Sequence, residues 1–269
     1  MRNLILNYWK SENEERSIEV DRCIKQNLES KLFDRLIFFV IDSQKDHLLS
    51  IFNNIDYGNI QVKIFNSFEP SITYQKIIDI CNTVVGTEDV NILSNSDIVF
   101  DETIKLADMI STKEIYALTR YNDDILDWHV PPAPEYATDS QDVWIWKGIN
   151  VLNSEIPIYM GVPGCDNRIS YDFFISGYVV RNPCLSIKTH HVHKTNSRPG
   201  TSTDISKRIM YPYLFLKPTK LGDFYGSYLS LHNSITYQIL ENEIKKNNLE
   251  DQVHVALKEF YKTIMETYK

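Results

Sequence analysis

Arg35–Asp42 reads RLIFFVID, an unbroken apolar run between two charged ends. A strand of this kind needs apolar cover on both faces, which is the condition of a parallel sheet buried between helices. The neighbouring sequence repeats the theme. Leu4–Tyr8 predicts a strand, and Asn13–Ser30 predicts an amphipathic helix. Val20, Cys23, Ile24 and Leu28 form that helix's apolar face, and Ile18 falls off it. His47–Phe52 predicts a short helix, Gln61–Asn66 a strand and Thr73–Thr83 a helix. Asp89–Leu93, Asp101–Met109 and Glu114–Thr119 continue as strand, helix and strand. Strict alternation over the first 120 residues predicts an α/β fold with a mostly parallel central sheet flanked by helices.

Several function classes lose their footing at once. No G-x-G-x-x-G follows the first strand and no Walker A sequence occurs. The chain of 269 residues carries 28 Lys+Arg against 36 Asp+Glu, a formal charge of −8. That balance speaks against a nucleic-acid partner, which needs clustered positive charge. The four cysteines form no C-x-x-C pair, so neither a zinc knuckle nor a dithiol site is indicated. Cys23 and Cys81 fall in apolar helical patterns and read as buried thiols. There is no leader-like N-terminus and no transmembrane run of 18 apolar residues. The expectation is a soluble, cytoplasmic protein, with peripheral attachment to a membrane surface left open.

Beyond residue 120 the texture changes. Tyr121–Asp142 holds Pro131, Pro132 and Pro134 and few periodic apolar positions, as a functional loop would. Val143–Trp146 predicts a strand, Cys165–Gly177 a helix, and Tyr178–Val180 and Leu185–Lys188 short strands. Helical periodicity returns at Tyr237–Lys246 and Val253–Tyr268. About 65 residues make a marginal core alone. The tail, 201–269, therefore reads as a helical extension packed on one domain spanning 1–200. Tyr211, Tyr213 and Phe215 alternate within it and are candidates for core packing, a lid, or homo-oligomer or peripheral membrane contact.

Asn95 and Asp97 sit at the carboxyl end of a predicted central strand, where open parallel sheets bind ligands. An acid there can hold a hard cation and its phosphates, and the same residue types also make turns. Asp101 fits a helix cap better than a metal ligand. Asp166 opens a helical run and suits either a cap or a general base. Arg168 suits a phosphate contact or an ion pair. In HHVHK, His191 and His193 share one face of an extended segment and His190 takes the other. Trp144 and Trp146 form a stripe that suits core packing or stacking on a sugar. Asp142, at the entrance of a predicted strand, suits holding a hydroxyl or a solvated turn, and Arg120, after the fifth strand, suits the same cleft or a surface salt bridge.

One set of segments adds a resemblance. ILSNSDIVFD (92–101), ALTRY (117–121), SQDVWIWKG (140–148), GVPGCDNRISYDFFISGYVVRNP (161–183) and LSIKTHHVH (185–193) resemble nucleotide-diphospho-sugar glycosyltransferases of the GT-A type. A weaker match lies in NYW (7–9) and around Asp21–Asn27. More narrowly, the chain is similar to glycosyltransferase-like proteins of bacteria, large DNA viruses and polysaccharide loci, over roughly residues 3–195. The resemblance implies a GT-A fold and transfer of a sugar from a nucleotide-diphospho-sugar donor to a glycan or other hydroxyl acceptor. It implies Mn²⁺ or Mg²⁺ held by Asp97 with His191 or His193. Asn95 stands where the D-x-D motif of that family begins. Asp166 takes the place of the base, with Asp142 competing. Asn95, Asp97, Arg120, Arg168 and Trp144 are implied as donor-binding residues. The alternative is a carbohydrate- or nucleotide-sugar-binding module that kept the fold without catalysis.

Overall fold

A computed structural model describes residues 1–53, 55–67, 72–122, 140–192, 209, 213–216 and 218–223. Seven strands form the central sheet: β1 (Arg2–Asn7), β2 (Arg35–Val40), β3 (Gln61–Asn66), β4 (Val90–Ser94), β6 (Glu114–Leu118), β8 (Val143–Lys147) and β9 (Val179–Arg181). Their spatial order is β3-β2-β1-β4-β8-β6-β9. Every adjacent pair is parallel except those made by β8, which runs against β4 and β6. A small second sheet joins β5 (Ile98–Phe100), β10 (Thr189–His191) and β7 (Tyr121–Asn122) in the order β5-β10-β7. The result is an α/β fold with a mostly parallel central sheet flanked by helices, as the strand–helix alternation predicted.

The period-2 pattern of the strands divides the core. Leu4, Leu6, Leu36, Phe38 and Val40 face one layer, and Ile5, Ile37 and Phe39 the other. Helices α1 (Glu14–Glu29) and α2 (Asp42–Ile51) cover the first through Val20, Ile24, Leu28, Leu48 and Ile51. Helices α3 (Tyr74–Asn82) and α4 (Cys165–Ile175) cover the second through Ile77, Ile78, Cys81, Ile169 and Phe173. Ile18 is 59% exposed, as the off-face position required. Asn13 caps α1 by accepting from the Arg16 amide at 3.0 Å. Cys23 and Cys81 are buried free thiols.

Three local expectations needed correction. The segment expected as a strand at Leu185–Lys188 is a turn, closed by the Ser186 and Ile187 amides on the Pro183 carbonyl at 3.0 Å each. The strand begins at Thr189 instead. Between the Asn95–Asp97 turn and the next helix lies β5, three residues that pair with β10. That next helix, Glu102–Met109, is a 3-10 helix, with Asp101 at its N-cap accepting from the Thr103 amide at 2.8 Å.

Described pieces of the tail pack on the same body. The Ile209 amide donates to the Pro163 carbonyl at 2.9 Å and the Leu214 amide to Asn167 at 3.0 Å. Tyr213, Leu214 and Leu216 are buried. The helices expected at 237–246 and 253–268, Tyr211, and most of the loop at 121–142 with Trp128 and Tyr136 lie outside the described residues.

Candidate functional site

The carboxyl ends of β4 and β6 meet the beginning of β8, because β8 runs the opposite way. Val143 is the register partner of both Ser94 and Leu118. The residues just past those strand ends therefore converge: Asn95 after β4, Arg120 after β6 and Asp142 before β8. Asn95 Nδ2 donates to Asp142 Oδ1 at 2.7 Å. Arg120 Nη1 pairs with Asp142 Oδ2 and also donates to Ser140 Oγ at 3.1 Å. Asp142 is buried, and both its carboxylate oxygens are thus engaged by cationic or amide donors.

Asp166 enters from the first turn of α4. Gly164 supplies the left-handed backbone (φ 85°) that turns the chain into this helix. The Cys165 thiol donates to Asp166 Oδ1 at 3.1 Å, and the Tyr74 hydroxyl lies 3.8 Å from the same sulfur. Burial pushes the Asp166 carboxyl up to about 7, and the nearby Asp142 charge adds to the effect. The Cys165 thiol, the Arg120 cation and the Gln141 backbone amide oppose that rise. A helix N-terminus favours a carboxylate, so burial outweighs the dipole here. The charges of Asp142, Asp97 and Asp166 all raise the Arg120 guanidinium's affinity for its proton, so Arg120 lies within the field of the three acids.

Asp97 forms the other half. It sits just before β5, and the Val192 amide donates to its carbonyl at 3.1 Å. Since His191 pairs with Ile98 across β5 and β10, its imidazole reaches Asp97, with Nε2 3.0 Å from Oδ2. Arg16, from the first turn of α1, pairs with the same Oδ2. Its Nη1 donates to Glu19 Oε2 at 3.1 Å and to the Val192 carbonyl at 3.5 Å. Burial alone would raise the Asp97 carboxyl. His191 and Arg16 together outweigh that and hold it well below the usual carboxylate range. An ionised Asp97 only accepts, so His191 donates from Nε2. Asp97 Oδ1 is buried and has no hydrogen-bond partner among the described residues.

These contacts bear on a divalent cation. Magnesium and manganese seek several oxygen or imidazole ligands with free lone pairs, close to octahedral. Oδ2 of Asp97 spends both lone pairs on Arg16 and His191, and His191 Nε2 carries a proton. Among the described residues no group of three His, Cys, Asp or Glu is placed to hold a metal ion. His193, the other expected ligand, lies outside them. The described residues therefore do not fit a resident Mn²⁺ or Mg²⁺ in this arrangement.

Two expected donor contacts lie elsewhere. Arg168 stands two residues after Asp166, on the opposite side of α4, and its Nε donates to buried Asp172 at 2.9 Å. Trp144 is fully buried, edge-on to Tyr74 with centroids 4.9 Å apart. Its indole belongs to the core and offers no face for a sugar. His190 turns away from His191, as the strand period predicts, and meets Asp101 Oδ2 at 3.1 Å. Asn95, Asp97, Arg120, Asp142, Asp166 and His191 do come to one edge of the sheet. Arg16 joins them without any motif to announce it; its one sequence signal is the Glu19 three residues on, an intrahelical partner.

No protein-family model and no curated sequence matches the chain. Among solved structures it is similar to 4-diphosphocytidyl-2C-methyl-D-erythritol synthase from Anaerococcus prevotii, at 12% identity over 76% of this chain and 94% of that one, with a TM-score of 0.44. It is also similar to TarS 1-349 from S. aureus in complex with UDP-GlcNAc, at 9% identity over 73% and 59%, with a TM-score of 0.45. A third likeness is to mannose-6-phosphate isomerase from Helicobacter pylori, at 17% identity and a TM-score of 0.37. The match covers 45% of this chain and half the length of that protein. Among the described residues no helix is long and apolar enough to cross a membrane.

Proposed function

We propose that the protein is a glycosyltransferase that moves a sugar from a nucleotide-diphospho-sugar to a hydroxyl acceptor. The observation that carries this reading is the meeting of Asp166 and Asp142 with Arg120 at the carboxyl edge of the sheet, the edge where open α/β sheets bind ligands. Asp142 pairs with Arg120 and accepts from Asn95. Asp166 is a half-buried residue whose carboxyl has an affinity for protons close to neutral pH. Two carboxyls so divided suit a proton acceptor and a fixed charge.

In this reading an acceptor hydroxyl faces Asp166. Its oxygen bonds to the anomeric carbon of the donor while Asp166 takes the proton. The bond between that carbon and the diphosphate breaks, and the nucleoside diphosphate leaves with the electron pair. A single displacement of this kind inverts the anomeric centre. Arg120 contributes positive charge near the developing negative charge, the most effective use of a fixed cation in such a site.

The test is a panel of UDP-, GDP-, CDP- and dTDP-sugars, read first by thermal stabilisation and then by release of nucleoside diphosphate with a mixed glycan acceptor set. Stabilisation by one donor class and turnover abolished by Asp166→Asn with donor binding retained are expected. Binding by none of the panel would overturn the reading. Binding with no release over a broad acceptor set would leave a nucleotide-sugar-binding module of the same fold.

A further inference from the structure

Two acids of the site each face an arginine. Asp142 faces Arg120, and Asp97 faces Arg16. Asn95, where a second carboxylate would stand in a D-x-D motif, brings an amide instead and spends it on Asp142. That motif position therefore brings no second carboxylate to Asp97, and one guanidinium stands between Asp97 and Glu19 of α1.

Arg16 is built into that place. Its side chain is 9% exposed and is held from both directions, by Glu19 within α1 and by the Val192 carbonyl at the end of β10. Its second terminal nitrogen meets Asp97 Oδ2, where His191 also donates. A planar guanidinium with five donors can serve three acceptors at once, and it does not lose its proton at any ordinary pH. A divalent ion could reach Asp97 Oδ1 without disturbing these contacts, but to take Oδ2 and His191 Nε2 as further ligands it would have to displace Arg16 and strip the proton from Nε2.

We infer that Arg16 is the resident cation of Asp97, standing where a divalent metal would otherwise sit, so that the protein binds nucleoside diphosphates without a metal ion. The second half of this inference rests on the nucleotide-sugar reading above; the first does not. Arg16 acts here as a positioning residue, fixing Asp97 and through it His191.

The experiment separates the two halves. Mn²⁺ alone is titrated into the full-length protein and followed by the loss of the free-ion electron paramagnetic resonance signal. Wild type is expected to show no saturable site below millimolar Mn²⁺, while Arg16→Ala gains one, since Asp97 and His191 are then released. Arg16→Lys, which keeps the charge, should behave like wild type. A saturable Mn²⁺ site in wild type with micromolar affinity would overturn the inference, whatever the variants do. In parallel, UDP and GDP binding to wild type is measured in EDTA and in excess Mn²⁺. The ratio of affinities is expected to lie within about twofold of one, and roughly tenfold weaker binding in EDTA would refute metal independence. If neither nucleotide binds under either condition, the nucleotide-sugar reading and the metal-independent binding fall together, and the Mn²⁺ titration still decides the role of Arg16.

Discussion

Asn95 and Asp142 are bound to each other twice. The Asn95 amide donates to the Asp142 carbonyl at 3.0 Å, and Asn95 Nδ2 donates to Asp142 Oδ1 at 2.7 Å. The side-chain bond needs a donor, and an aspartate in its place has none when ionised. Asn95→Asp would set two carboxylates face to face in a largely buried setting. We expect a loss of about 1–3 kcal/mol at pH 7.5, from one buried bond removed and one like-charge pair created. The loss should shrink near pH 5, where the new carboxyl takes a proton and can donate again. Urea denaturation of both proteins at the two pH values measures this. An equal loss at both would mean that the bond, and not the charge, matters.

Asp166 should make stability fall as pH rises. Its folded-state value of about 7 stands above the ordinary unfolded carboxylate value of roughly 4. Between those limits the folded protein holds a proton that the unfolded chain has released. Stability therefore declines from about pH 4 to pH 7, and the whole cost is present above pH 7. Asp166→Asn removes this cost, so the variant should gain on wild type by a few kcal/mol from pH 5 to pH 8.5. Denaturant titrations across that range give the difference curve, in which the histidines common to both proteins cancel. A flat difference would show that Asp166 ionises as an ordinary carboxyl. As a proton acceptor, the same residue predicts that kcat/KM falls below about pH 7.

The Arg120–Asp142 pair is buried on one side and tied to Ser140 and Asn95 on the other. Removing one member strands the other's charge. Arg120→Met is expected to destabilise by about 3–5 kcal/mol, and adding Asp142→Asn should recover most of that loss. A double-mutant cycle by chemical denaturation tests the coupling. Additive losses would indicate that the two side chains act independently. Catalysis should not recover in the double variant, because both charges are then gone from the site.

The fold was legible where periodicity is strong. RLIFFVID, the α1 face and the α3 face each repeat a pattern that only one backbone geometry can satisfy. The direction of β8 left no such trace. VWIWK is apolar whichever way it pairs, so its reversal emerges only from the register Ser94–Val143 and Leu118–Val143. That reversal is what carries Asp142 to the site. β5 was missed because three residues are too few to show a period. Trp144 was ambiguous for a related reason: a stripe on one strand face fits a core or a cleft, and only the helices packed over it decide. Arg168 did carry a readable signal, since Asp172 stands four residues on along the same helix. Arg16 carried the like signal of Glu19 three residues on, but nothing pointed to Asp97, 81 residues away in sequence.

Gly164 joins the site to the C-terminal segment, and it offers a test of that junction. Its φ of 85° is a conformation that side-chain-bearing residues rarely adopt, and a Cβ there would lie 2.6 Å from the Tyr213 hydroxyl and 2.7 Å from the Ile209 carbonyl. Gly161 has a similar φ of 79°, yet a Cβ there meets nothing within 4 Å. Gly161→Ala therefore measures backbone strain alone, expected at about 1 kcal/mol. Gly164→Ala adds a collision with a backbone carbonyl that cannot swing aside. It must push Ile209 and Tyr213 off the start of α4, breaking the Ile209–Pro163 bond. We expect its loss to exceed that of Gly161→Ala by about 1–3 kcal/mol. That corresponds to several degrees of melting temperature for a domain of this size. Ile209 and Leu214 bond to Pro163 and Asn167, on either side of Asp166 in the chain, so the variant should also admit water to the Asp166 carboxyl and shift the acid limb of the rate profile toward lower pH. Equal melting temperatures for the two variants would show that the segment does not press on Gly164.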